Sequence, residues 1–257
     1  MITLAANIEL LFTEAGDQPA ERIRAAAQFG FTEVECWTWR DKDLLALEQA
    51  LVETGLILRT LIVDPQLDLT DPATHADYLR AVHDSVPVAE QLGSPFLVVV
   101  AGNDHPDIPR TDQRAAVVSV LREAVQLVPE SITLLLENLN DRVDHPGTFL
   151  TSVAEGLEMI TEIGSPRLKM LLDAYHALAM GEDVIAAVDG RMDLIGHIQI
   201  ADLPGRHEPG TGTVNWTALL QTLVDAGYCG SFGLEYLPAS ETTASLQHIV
   251  TVAVDIT

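Results

Sequence analysis

A single closed (β/α)8 barrel of the TIM type, spanning residues 1–257 as one domain, is the fold class this sequence predicts. Three observations carry that prediction. Short apolar runs alternate with helical stretches from end to end, with no low-complexity linker to split them, as successive βα units require. The length of 257 residues is the ordinary size of one such barrel. Four successive apolar runs in the second half each close on an acidic or amide side chain, at the end where barrel strands open onto their functional face.

Strands are expected near 2–8, 32–36, 57–63, 96–101, 132–137, 168–173, 194–200 and 231–236, each a short apolar run followed by polar loop residues. Helical stretches are expected at Pro19–Phe29, 42–54, 74–92, 111–127 and 146–163. Glycine follows a helical stretch at Gly30, Gly55, Gly93, Gly164 and Gly227, the position where a left-handed residue ends a helix. An open doubly wound sheet is the alternative. It is weakened because Ile8, Glu9, Leu10 and Leu11 follow the first strand where a glycine-rich phosphate loop would stand.

The strand ends define a candidate site. The runs from Ile132 to Glu137, Leu168 to Asp173, Leu194 to Gln199 and Ser231 to Glu235 end in three carboxylates and one amide. Strand alternation puts Glu137 on the face of Leu135, Asp173 on that of Leu171, and Glu235 on that of Gly233. An acid at the last inward position of a barrel strand is costly to bury unless paired or coordinated. Asp173 alone reads equally well as a helix cap, but capping does not account for all four. Glu137, Asp173, Gln199 and Glu235 together make a hard, oxygen-rich donor set that suits Mn²⁺ or Mg²⁺ rather than Zn²⁺. His197, two residues before Gln199 on the same strand face, either replaces Gln199 as a ligand or sits lower in the barrel as a structural residue.

Other residues surround this set. His176, three residues past Asp173, is near enough to hold a substrate hydroxyl, or else caps the next helix at the surface. Arg206 offers paired planar donors to a substrate carboxylate or to sugar hydroxyls, with Glu208 placed to orient it. Both also read as a solvated loop ion pair. The segment from Pro209 to Gly212 lacks the lysine and spacing of a phosphate loop and reads as a rigid turn into a helix at Asn215. Trp37 and Trp39 lie near the mouth, either to stack on a sugar or as rim packing.

Composition narrows the function. Acids outnumber bases 38 to 14, for a formal charge of −24, which argues against nucleic-acid and anionic-membrane partners. No apolar run reaches membrane-spanning length and no signal-peptide pattern opens the chain, so a cytoplasmic location is expected. The same absence makes the Asn215-Trp-Thr glycosylation sequon a chance match. Cys36 and Cys229 are far apart, fit no metal or redox spacing, and are expected to be reduced core thiols.

Several strings then point to a known family. They are Glu137-Asn-Leu-Asn, Asp173-Ala-Tyr-His, the run from Gly196 to Asp202, the run from Pro204 to Gly212, and Gly233-Leu-Glu-Tyr. They resemble the hydroxypyruvate isomerase family, which belongs with the ketose 3-epimerases among the xylose isomerase-like TIM barrels. The likeness is dense from Leu134 to Pro238. It implies that Glu137, Asp173, Gln199 and Glu235 hold a divalent metal. It also implies that Glu137 and Glu235 flank the substrate as acid and base, with His176 and Arg206 as substrate contacts. The loops after strands three and four, and the segment after His176, depart from the family pattern.

The expected activity is a metal-dependent isomerisation of a small keto acid or sugar, hydroxypyruvate to tartronate semialdehyde, through an enediolate. Ketose 3-epimerisation and metal-dependent C–C cleavage of 3-oxo C-glycosides are the alternatives, and the second would bring a partner subunit. A non-catalytic sugar-binding barrel ranks below these. A homo-oligomer is left open, since no heptad or apolar patch marks an interface.

Overall fold

The computed structural model describes residues 1–256. Among them, eight parallel strands close into a barrel in chain order. They are β1 (Leu4–Asn7), β2 (Glu33–Glu35), β3 (Ile57–Ile62), β4 (Phe96–Val100), β5 (Thr133–Glu137), β6 (Leu168–Asp173), β7 (Ile195–Ile200) and β8 (Phe232–Leu234). β1 pairs with both β2 and β8, which completes the ring. The expected strands are present with trimmed ends, and Glu235 stands one residue beyond β8.

Helices run outside the ring: α1 (Pro19–Phe29), α2 (Leu44–Thr54), α3 (His75–Leu92), α4 (Arg110–Leu127), α5 (Val153–Ile163), α6 (Ala174–Met180), α7 (Val184–Val188), α8 (Trp216–Asp225), α9 (Thr242–Ser245) and α10 (Gln247–Asp255). Their starts follow side-chain chemistry. Asp43, Ser152, Asp173, Asp183 and Asn215 each accept a backbone N–H three residues on, satisfying an otherwise orphaned donor. At the other end, Gly55 with φ 72° ends α2 and returns its N–H to Leu51.

One helix differs from expectation. Residues 146–152 form a loop, and α5 starts only at Val153. Gly147 takes φ 87°, outside the helical region, and Thr148 bridges to Asn103, so the Ser152 cap marks the start. The cysteines also divide. Cys36 is buried as expected, whereas Cys229 is exposed on the turn before β8.

Strand alternation sorts the apolar residues into two layers. Leu134, Leu136, Met170, Leu172 and Ile198 face outward and pack in the large core under the helices. Val98, Leu135 and Leu171 face inward and form a small cluster that fills the barrel, with Ile62 and Phe96 against it. The polar ends of the strands sit above that plug. Among the described residues, no helix is long and apolar enough to cross a membrane.

Candidate active site

The register of the closed barrel brings the strand ends side by side. Asp173 pairs with Gln199, Gln199 with Gly233, and Glu137 with Leu171. Glu137, Asp173, Gln199 and Glu235 are all buried. The tightest group is Glu137, Asp173 and His176, whose potential ligand atoms all lie within 4.8 Å of one another. Glu235 stands beside it, with Oε1 accepting from Trp37 Nε1 at 2.6 Å and Asn7 Nδ2 at 3.3 Å, and Oε2 from Arg206 Nη2 at 3.2 Å.

His197 is not at the level of these groups. It lies one inward position lower, where its Nε2 pairs with the buried Glu35. Glu35 also accepts from Gln199 Nε2 at 2.9 Å, while Gln199 Oε1 is buried without a partner. His197 is thus engaged by Glu35 below the cluster, and Gln199 Oε1 is the unpartnered acceptor at its level.

Asp173 acts as the helix cap that the sequence allowed, its Oδ1 accepting the N–H of His176 at 2.9 Å. Capping uses one oxygen, and Oδ2 lies 3.6 Å from His176 Nε2. His176 is fully buried rather than a surface cap. Its Nδ1 meets Asn140 Nδ2 at 2.6 Å; because that amide nitrogen can only donate, Nδ1 accepts and Nε2 carries the proton. Nε2 is buried and has no hydrogen-bond partner. Asn138 exchanges two hydrogen bonds with the backbone of Asp173, at 3.0 and 3.1 Å, and locks the end of β5 to that of β6.

Arg206 occupies the loop after β7 with φ 56°, an uncommon conformation for a residue with a side chain. Its guanidinium reaches Glu235, lies 3.8 Å from Asp144 Oδ1, and covers the Tyr175 ring at 5.4 Å. Glu208 is buried too, but its carboxylate accepts from the Ala239 N–H at 3.0 Å, so it braces the loop after β8 instead of contacting Arg206. Trp39 donates to Ser85 Oγ at 3.0 Å and belongs to the rim packing.

Burial dominates the electrostatics. It pushes the carboxyl of Glu137 well above the usual range, with repulsion from Glu235 and Asp173 adding to it. It raises Asp173 to about 7 and Glu235 to about 8, against the pull of Arg206 in each case. Burial lowers the His176 imidazole to about 3, with Arg206 and His145 adding to that, so the ring is neutral. Desolvation opposes the charge on Arg206, but Glu235, Asp173, Asp144 and Glu137 together hold its pKa above the ordinary value.

This donor set fits a divalent cation. Three crowded carboxyls strain against ionising together, one amide oxygen lacks any partner, and a neutral imidazole stands beside them. A cation relieves the repulsion and gives the orphaned oxygen a partner.

Sequence reasoning missed Asn7, Glu35, Asn138, Asn140, Asp144 and Tyr175. It also placed Trp37 at the mouth without finding its bond to Glu235. A usable signal existed for Asn138 and Asn140, which follow Glu137 in alternation. Glu33 and Glu35 flank Val34 without any mark of which acid enters the site.

The family comparisons agree with the barrel fold. The model for xylose isomerase-like TIM barrels matches residues 23–251. The hydroxypyruvate isomerase of Escherichia coli strain K12 is 32% identical over 256 residues, covering 96% of this chain and 98% of its own length. The 2-oxo-tetronate isomerase of Cupriavidus necator is 31% identical over 254 residues, covering 96% of each. Among solved structures, an AP endonuclease, family 2, from Brucella melitensis superposes with a TM-score of 0.90 at 27% identity, covering 98% of this chain and 99% of that one. The chain belongs to the hydroxypyruvate isomerase family of the xylose isomerase-like TIM barrels.

Proposed function

We propose that this protein is a metal-dependent isomerase that shifts a proton between neighbouring carbons of a small hydroxylated 2-oxo acid, with hydroxypyruvate as the first candidate substrate. The single observation that carries this reading is the placement of Glu137 and Glu235 at the ends of β5 and β8, with Asp173 and Gln199 between them on the ring. Burial raises both carboxyls above their ordinary range, and two positioned carboxyl groups can serve as general acid and base.

Glu137, Asp173, Gln199 and Glu235 are the residues we assign to the cation, Mn²⁺ or Mg²⁺. When bound, it supplies Lewis-acid stabilisation of negative charge on the substrate oxygens. One glutamate takes the proton from C3 of hydroxypyruvate and the other returns a proton to C2, while the C3 hydroxyl proton passes to the C2 oxygen. The product is tartronate semialdehyde. His176 offers a neutral Nε2–H to a substrate oxygen, and Arg206 offers its guanidinium to the carboxylate. Glu208, on the same loop as Arg206, ties that loop to the one after β8 through the Ala239 N–H.

The loops that depart from the family pattern also matter. Gln66, Asp68 and Asn103 from the loops after β3 and β4, with His145 and Thr148 from the loop after β5, help line a cavity of about 330 Å³ beside the site, and His145 packs on the His176 ring at 5.2 Å. Space of that kind suits hydroxylated carbons beyond the third, as in the substrate named for the Cupriavidus relative.

The test is to load the protein with Mn²⁺, incubate it in D₂O with hydroxypyruvate or 2-oxo-tetronate, and follow products by NMR against an EDTA control. Metal-dependent isomerisation is expected with at least one substrate, and Glu235→Gln is expected to abolish it. Absence of both conversion and deuterium uptake would overturn the reading; epimerisation of ketoses or cleavage of 3-oxo glycosides would then be assayed.

A further inference from the structure

Glu235 has two oxygens in unlike surroundings. Oε2 meets the charged Arg206, whereas Oε1 accepts from two neutral donors, Trp37 Nε1 and Asn7 Nδ2. The carboxylate cannot turn without giving up both neutral bonds. Both donors lead back to one residue, Glu9, in the loop after β1. The N–H of Glu9 donates to Asn7 Oδ1 at 3.0 Å, and Glu9 Oε1 accepts the backbone N–H of Trp37 at 3.1 Å. Glu9, Trp37, Glu235 and Asn7 thus form a closed circuit of hydrogen bonds.

The anchor of this circuit is held unusually firmly. Glu9 Oε1 also accepts from Lys42 Nζ at 3.0 Å and from the Cys36 thiol at 3.2 Å. The Lys42 side chain is only 5% exposed and that of Glu9 15%. A lysine buried to this degree needs its partners, and removing Glu9 would leave it only the exposed Asp41, whose Oδ1 lies at 3.2 Å. The helix that follows does not call for a lysine here, since α2 is capped by Asp43 and begins at Leu44. The carbonyl of Trp37 accepts from the Ile62 N–H at 3.0 Å, so the backbone of Trp37 is gripped from both sides.

We infer that Trp37 is a positioning residue that fixes the rotation of Glu235, with the buried Glu9–Lys42 ion pair as its anchor. Oε1 is held by neutral donors, and Oε2, the oxygen paired with Arg206, is the one we assign to proton transfer. The inference rests on Glu235 being a reacting carboxylate, as proposed above. A tryptophan that served only as pocket wall would act on substrate binding, whereas a positioning residue acts on turnover.

The test has two readouts. Trp37→Phe keeps a ring and removes the N–H; kcat is expected to fall about 10–100-fold, with KM changed less than about threefold. A rise in KM with kcat retained would overturn the inference. The second readout needs no turnover. The chain has three tryptophans, so the indole N–H of Trp37 is assigned by the ¹⁵N–¹H signal lost in that variant or, if it does not fold, by selective labelling. Its proton is expected downfield of the other two and slow to exchange. Glu235→Gln and Glu9→Ala are each expected to move it upfield and speed its exchange, although Glu9 touches neither the indole nor Glu235. A signal that stays put in both variants would refute the coupling. If no substrate is turned over while the signal moves as expected, the circuit stands and the isomerase reading fails.

Discussion

Gln199 Nε2 donates to Glu35 Oε2 at 2.9 Å, and this bond turns Gln199 Oε1 away from Glu35 with no hydrogen-bond partner of its own. A carboxylate only accepts, so an amide facing Glu35 must present its nitrogen and send its oxygen elsewhere. Glu35 also engages His197, the residue one inward position below Gln199. One buried acid on β2 therefore separates the lower histidine from a candidate ligand on the same face of β7.

Glu35→Gln should weaken cation binding without removing any candidate ligand. The substituted amide can donate to Gln199 Oε1 and turn that side chain over. Loss of a side chain that orients a ligand costs about 10–100-fold in metal affinity. Calorimetric titration with Mn²⁺ measures it, and an unchanged Kd would show that Gln199 does not depend on Glu35.

Gly233→Ala should destabilise the protein through the same acid. A Cβ at this position would run into the carboxylate of Glu35, which is fully buried and would have to give up its bonds to His197 and Gln199 to withdraw. Overpacking of this kind costs about 1–3 kcal/mol. For a chain of this size each kcal/mol lowers Tm by about 2–4 °C. A thermal melt within a degree of wild type would show that Glu35 can move aside.

The pH dependence follows from the raised carboxyls. Asp173 at about 7 and Glu235 at about 8 stand above their ordinary values of 3.8 and 4.5. The folded, cation-free protein keeps protons that the unfolded chain has lost. That contribution is fully present below the ordinary values and is lost as pH rises through about 7 to 8, so stability falls across that window. A divalent cation favours the ionised forms, so its stabilising effect should grow with pH and its binding should release protons. Melts with and without Mn²⁺ at about pH 5 and 8 compare the two. An equal Mn²⁺ shift at both values would contradict this account of the site.

Much of this architecture is legible before any coordinates. A buried parallel strand is a short apolar run, and an acid that closes such a run in phase with its inward residues stands out, as Glu137 does above Leu135 and Asp173 above Leu171. Side-chain period two and the helix-capping chemistry of Asp43, Ser152 and Asn215 are local properties, so they can be read along the chain.

The residues that escaped are those whose roles depend on register and closure. On β2, Glu33 and Glu35 flank Val34 identically, yet Glu33 pairs with Arg59 while Glu35 lies under the site. A register shift between Val34 and Glu35 accompanies that difference. On β7, an irregularity opposite Met170 and Leu171 sets His197 against Leu171 and leaves Gln199 at the level of Asp173. Trp37 meets Glu235 across 198 positions of sequence because β1 closes the ring between β2 and β8. The sequence by itself determined the kind and order of elements and which strands end in acids, since those follow from local periodicity. Tertiary structure alone decided which atoms meet across the barrel, since heights and distances there are set by how eight strands are staggered when they close.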